Sequence, residues 1–287
     1  MDRLCPTLSY YTKMYRSLVF VSYVVMAISN ILSTTTGVFN HTNNTAISKN
    51  NPTALTPDGI TFAVWGPIYL FEFGTVLYQC WPNGSIISDT SRKWLSVAFL
   101  SNAVWLPLFA FEYWWLSLAV IGVYYFSLYE LYYWTVLVNY ANCKHWKDKI
   151  WAYTGISLNM AWITVAGFLN LTIVFRNSRI MYTENGNEII GGNADWAVAV
   201  VVISSVIAIY NILALADIVY GLATIWALLG ISRYHNGEQS TWAFVCAITV
   251  AVFAVGRLAL GIIKKPKQKK PKHRQEGQPL LRQDTGV

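Results

Sequence analysis

Eight apolar runs, each near the length at which a helix crosses a lipid bilayer, constrain this chain more than any other feature. They fall near residues 17–33, 60–80, 94–111, 114–138, 150–174, 196–212, 214–232 and 241–263. A hydrocarbon core of about 30 Å takes about 20 helical residues at about 1.5 Å each. Within lipid the backbone must satisfy its own hydrogen bonds, and helices of this length do so. Only 12% of the 287 residues are charged and 55% are hydrophobic, too few polar groups to cover a water-facing domain. The expected fold class is all-α, a polytopic membrane helical bundle with eight transmembrane helices. The least marked division separates 196–212 from 214–232, where only Asn211 to Asp217 offers a turn. Read as one helix, this stretch would be unusually long for a span.

Charge supplies an orientation. With a cytosolic N-terminus, 16 of the 21 lysines and arginines face the cytosol, four (Lys49, Arg176, Arg179 and Arg233) face the other side, and Arg257 lies within a span. Such a bias places both termini in the cytosol. The first run then acts as a signal anchor, since no small-residue cleavage site follows it. The sequons at Asn40 and Asn43 lie between spans one and two on the lumenal side and are candidate glycosylation sites. Those at Asn83 and Asn170 fall on the cytosolic side and within a helix, where they are chance matches. The chain divides into a cytosolic N-terminus (1–16), a five-span unit (17–175), a lumenal loop (176–195), three further spans (196–263) and a basic cytosolic tail (264–287). The tail carries eight basic and two acidic residues and has no apolar periodicity, so disorder is expected.

Cys5, Cys80, Cys143 and Cys246 avoid the lumenal loops, so no disulfide framework is expected. Cys80 and Cys143 are juxtamembrane, where a reduced, inert thiol is the expectation and palmitoylation the alternative. The four histidines are scattered without ligand spacing, so no metal site is expected.

Helical spacing gathers the polar and aromatic residues into faces. Phe62, Trp65, Tyr69 and Glu72 recur at steps of three and four, an aromatic stripe ending in a carboxylate, and Pro67 is expected to bend that helix and open space beside Trp65 and Tyr69. Asn102, Trp105 and Phe109 share a face of the third span; Trp162, Ala166, Leu169 and Asn170 share one of the fifth. An asparagine amide in hydrocarbon needs a partner, from another helix or from a ligand. Trp65, Trp105 and Trp162 come out at similar depth, so the three indoles either line one cavity or pack an aromatic-rich bundle.

The pattern Asn102-x-x-Trp105-x-Pro107-x-Phe109, then Trp162-x-x-x-Ala166-x-x-Leu169-Asn170, preceded by Thr56-Pro57-Asp-Gly59-x-x-Phe62-x-x-Trp65-x-x-x-Tyr69, resembles the TspO/MBR family of tryptophan-rich sensory proteins. The resemblance covers about residues 17 to 175, and Trp226-Ala-Leu-Leu-Gly-Ile looks like an extended branch of that family. It implies a five-helix TspO-like unit plus three further helices. It also implies a pocket beneath the first loop for a hydrophobic planar ligand, tetrapyrrole (porphyrin) first and sterol second. On it, Trp65, Tyr69, Asn102, Trp105, Phe109, Trp162, Ala166 and Asn170 are ligand-binding candidates. No cofactor is required, no nucleic acid is expected, and a homodimer follows by analogy alone. An enzyme is not expected, although light-dependent porphyrin degradation would use the same tryptophans. The sequence departs from the family in the first loop, at Asn40 to Ala54, before the fifth-span tryptophan, where Leu158-Asn159 replaces a Pro-Tyr, and in the shorter step from Phe62 to Trp65. The sterol consensus expected after the fifth span is missing, and Leu8-Ser-Tyr10-Tyr-Thr-Lys13 matches it elsewhere.

Intramembrane charge supports a second reading. Glu72, Glu130, Asp217 and Arg257 lie within or near spans. Asp217 and Arg257 have similar depth and are expected to pair, leaving Glu72 or Glu130 as the carboxylate of a proton-coupled secondary transporter of a small polar solute. In the tail, Glu276 with Leu280 and Leu281 forms an acidic dileucine pattern, the type read by clathrin adaptors, which suggests an endosomal or lysosomal membrane, with the plasma membrane as the alternative. The basic cluster Lys264 to Lys272 is expected to lie against anionic lipid headgroups.

Overall fold

The computed structural model describes residues 6–36, 38–40, 43–80, 87–137, 146–183 and 185–263. The chain runs through α1 (Pro6–Ile31), a short α2 (Asn44–Asn50), α3 (Trp65–Tyr78), α4 (Asp89–Ala110), α5 (Trp114–Tyr132), a single turn α6 (Trp146–Asp148), α7 (Thr154–Asn177), α8 (Ala194–Leu215), α9 (Ile218–Tyr234) and α10 (Glu238–Ile263). Six segments are long and apolar enough to cross a membrane. The other two of the expected eight are α9, which is apolar but only 17 residues long, and α5, which is rich in tyrosine and tryptophan. The protein is an all-α polytopic bundle; among the described residues the only β-type pairing is one isolated bridge, Tyr182 with Glu188.

Local sequence sets the helix ends. Ser88 Oγ accepts the Ser91 amide and starts α4 five residues before its apolar run. Asn193 and Asp217 cap α8 and α9 in the same way. The expected turn falls at Ala216, whose left-handed φ of 56° ends α8, and Asp217 begins the next helix at once. The second span differs from expectation: Gly59–Val64 is a 3-10 turn and the α-helix begins at Trp65, so Pro67 sits in its first turn rather than bending its interior. A first-turn residue has no intrahelical partner for its amide, so proline is tolerated there.

Helix α7 is the hub, packing on α3, α5 and α9, and two-thirds of the apolar window that contains it is buried. Helices α1 and α10 lie outermost, with Phe20, Val21, Ile28, Phe244, Val252 and Val255 exposed along them. Polar residues are gathered inside instead. Pro107 lies within α4 and cannot donate to the Ala103 carbonyl; Ser29 Oγ of α1 donates to that carbonyl at 2.8 Å. Helices α3 and α7 touch at Gly155, where an added Cβ would fall 2.8 Å from the Glu72 backbone nitrogen. That close approach brings Asn159, one turn on, against Glu72.

The α1–α3 connection is strapped down from both sides. Ala54 N donates to Gly191 O at 2.7 Å, and the Arg176 guanidinium reaches Pro52 O. From α9, Trp226 Nε1 donates to Thr61 O at 2.8 Å, Gly230 O accepts the Asp58 amide at 2.9 Å, and Arg233 pairs with Asp58 at 3.1 Å. Gly230 lies so close to Thr61 that a Cβ has no room there. Helix α9 and the α7–α8 connection therefore hold the loop that covers the bundle.

Candidate binding cavity

Two spaces lie beneath that loop. The larger, about 530 Å³, opens where α1 and α3 part, with Tyr23, Met26 and Asn30 on one wall, Trp65 and Tyr69 on the other, and the 3-10 turn above. The smaller, about 20 Å³, is enclosed by Trp105, Phe109, Trp162, Ala166 and Asn170. Phe62 and Trp65 border both, so they form the partition.

The eight ligand-binding candidates thus fall into three groups. Trp65 and Tyr69, stacked at 5.3 Å, face the large cavity. Trp105, Phe109, Trp162, Ala166 and Asn170 converge as their spacing implied, but on one another. Trp65 lies 6.5 Å from Trp105 and 6.0 Å from Trp162, and Trp105 stacks on Phe109 at 5.1 Å. The space left among them holds about one water. Two buried polar atoms border that space without a partner, Trp162 Nε1 and Ser48 Oγ. Asn170 is satisfied within the bundle, accepting from Trp105 Nε1 at 3.3 Å and donating to Ser117 Oγ at 3.2 Å. Asn102 borders neither space and is fully buried.

Asn102 instead belongs to a chain of donors that begins at the cavity wall. Tyr69 OH donates to Asn30 Oδ1 at 2.6 Å, and Asn30 Nδ2 to Asn102 Oδ1 at 2.9 Å. Asn102 Nδ2 donates to Tyr124 OH at 3.4 Å and Tyr124 OH to Asn159 Oδ1 at 2.9 Å. Asn159 Nδ2, also 2.7 Å from the Tyr124 hydroxyl, donates to Glu72 Oε1 at 2.6 Å. Glu72 is fully buried, and its Oε2 has no hydrogen-bond partner among the described residues. Asn30, Tyr124 and Asn159 carry this network yet were not singled out as site residues. The rule that flagged Asn102, an amide in lipid needing a partner, applies equally to Asn30 and Asn159.

The remaining charges resolve differently from expectation. Asp217 does not pair with Arg257: no such ion pair occurs among the described residues. Its Oδ2 accepts from Tyr132 OH and Ser157 Oγ, each at 2.7 Å, and its Oδ1 caps α9. Three donors satisfy this carboxylate where it stands, so a cation on α10 is not needed. Glu130 is half-buried and accepts from Trp134 Nε1 on the next turn at 3.2 Å. Of the sequons, Asn40 is exposed and donates to Ala110 O, while Asn43 caps α2 and borders the large cavity. Among the described residues no three metal-ligating side chains cluster. Cys80 is exposed and Cys246 buried, both free. Cys5, Cys143, Asn83 and the tail motif of Glu276, Leu280 and Leu281 lie outside the described residues.

Residues 16–259 match the family model of TSPO-like proteins. The match extends past the five-span unit to take in α8, α9 and most of α10. Neither the curated proteins nor the solved structures contain a match to the chain.

Proposed function

From the premise that the chain belongs to the TSPO-like family, we propose that it binds a neutral, planar hydrophobic molecule in the cavity between α1 and α3. Ligand binding or transport in a membrane is the family's general province; the ligand class is argued from the lining. The single observation that carries it is a cavity of about 530 Å³, within the roughly 300–1,000 Å³ typical of ligand sites, walled by aromatic and aliphatic side chains. No lysine, arginine or histidine borders it among the described residues. A porphyrin brings two carboxylates that such a wall leaves without counter-ions. A sterol brings one hydroxyl, which Asn30, Tyr69 or Thr34 can meet. Sterol therefore ranks ahead of tetrapyrrole. Trp65 and Tyr69 supply the flat face for the rings, and Trp105 and Trp162 support Trp65 from behind.

The sidedness of charge favours a protein with both termini in the cytosol, and the dileucine pattern favours an endolysosomal membrane with a clathrin adaptor as partner. Asn40 and Asn43 both stand as glycosylation candidates: the Asn43 cap uses its Oδ1, and Asn40 is exposed with its Nδ2 on the Ala110 carbonyl. No enzymatic step is proposed. Ala27 borders the cavity, so Ala27→Phe is the test: saturable binding of a fluorescent sterol should be lost while the protein stays folded. Retained affinity in that variant would refute the assignment. A second reading, proton-coupled movement of a small polar solute, is favoured by one observation, the buried Glu72 carboxyl. It no longer extends to Glu130, whose oxygen is taken up by its own helix.

A further inference from the structure

Glu72 is the one fully buried carboxyl among the described residues, and half of it is unused. Oε1 accepts from Asn159; Oε2 makes no hydrogen bond among the described residues. No lysine, arginine or histidine among the described residues forms an ion pair with it. The titratable groups around it are Tyr69 on its own helix, Tyr23 from α1 and Tyr124 from α5. The turn preceding α7 adds Tyr153 and the exposed Lys149, while the α7 residue that meets the carboxyl is Asn159, which does not titrate. A charge here would be buried without a counter-ion, which is strongly unfavourable. A protonated carboxyl fits the site as built.

Five hydrogen bonds lead from the cavity to Glu72 in one sense, each donor facing the carboxyl side, and one bond runs back, from Asn159 Nδ2 to Tyr124 OH at 2.7 Å. Such a chain polarises as a unit. An amide passes on polarisation rather than a proton, so the chain couples its two ends without conducting between them. A carboxylate at the far end is a stronger acceptor than a carboxylic acid, and bonds to ions are about twice as strong as neutral ones. Ionisation of Glu72 therefore tightens every link back to Tyr69 and Asn30. Those two groups line the cavity, and their donors are already engaged, so a ligand hydroxyl meets them by donating to the Tyr69 oxygen, which extends the chain in its own sense and gains from each link tightened behind it.

We propose that Glu72 is a proton-binding site that regulates the α1–α3 cavity, the ionised carboxylate favouring an occupied cavity and the protonated carboxyl an empty one. The proposal rests on the cavity reading above and concerns the same site.

The test is binding of a fluorescent sterol to nanodisc-embedded full-length protein across pH, in wild type, Glu72→Gln and Tyr124→Phe. Wild-type affinity should rise with rising pH by about fivefold or more, the range of ordinary couplings. Glu72→Gln should hold the low-pH affinity at every pH, and Tyr124→Phe, which breaks the chain but keeps the carboxyl, should flatten the response. Saturable binding that is indifferent to pH in wild type, or equally pH-dependent in Glu72→Gln, overturns the coupling and leaves the cavity reading standing. Absence of binding at any pH in wild type overturns both. Infrared difference spectra give a readout without ligand: a carboxylic C=O band lost in Glu72→Gln and displaced in Asn30→Leu supports the chain. A band that Asn30→Leu leaves in place overturns it.

Discussion

Ser29 shows how single residues hold this bundle together. Pro107 leaves the Ala103 carbonyl without its helical donor, and the Ser29 hydroxyl fills the gap from the neighbouring helix. In lipid no water can take its place. Ser29→Ala should lower stability by about 1 kcal/mol, within the roughly 0.6–1.7 kcal/mol measured for interhelical bonds in membranes, read as a shifted unfolding midpoint in detergent. Asn170→Ala should cost about as much, since it strands Trp105 Nε1 while Ser117 Oγ keeps its bond to Trp114 O. The need for partners at Asn102 and Asn170 was legible because an amide in hydrocarbon cannot stay alone. Their identities, Asn30 and Tyr124 for one, Trp105 and Ser117 for the other, were not. Those depend on how helices far apart in sequence rotate against each other. The failed pairing of Asp217 with Arg257 has the same origin, since equal depth says nothing about which way each side chain faces.

Among the elements, α9 decides how the cavity is covered. Trp226, Gly230 and Arg233 lie on one helical face at steps of four and three, and all three meet residues 58–61. Gly230→Ala should push the 3-10 turn off α9, giving faster hydrogen exchange at the amides of residues 58–64. Arg233→Gln should change little, because the arginine is 62% exposed and such pairs contribute about 0–1 kcal/mol. At the end of α9, burial lowers the His235 imidazole below its ordinary value, with the Thr56 carbonyl acting in the opposite direction. A lowered folded value means that the folded protein binds fewer protons, so this contribution is complete above about pH 6.5 and is lost as pH falls through the folded value. Acidification should loosen the α9–α10 connection in wild type and not in His235→Gln, as read by hydrogen exchange. Spans were legible as elements because lipid imposes their length. The 3-10 turn at Gly59–Val64 was not, because apolar content continues unbroken through it and only contact with α9 fixes its geometry.

At the scale of the whole molecule, the arrangement is apolar outside and polar within, with α7 at the centre and α1 and α10 toward lipid. The family match over residues 16–259 joins the last three helices to the first five, and the contacts of α9 with the covering loop give that union a physical basis. Tags at both ends of the chain should be accessible from the cytosolic side of sealed vesicles; protection of only one would mean an odd number of spans, and protection of both would reverse the orientation. The central claim is that the ligand occupies the space between α1 and α3, with the tryptophan cluster as its supporting wall. The most direct measurement is quenching of tryptophan fluorescence by a fluorescent sterol and by protoporphyrin, in wild type, Ala27→Phe and the Trp105/Trp162 double variant to phenylalanine. Saturable quenching by the sterol that is abolished in Ala27→Phe and persists in the double variant is the expected result. Saturable binding that survives Ala27→Phe and disappears with Trp105 and Trp162 would contradict the account, placing the ligand among the tryptophans instead.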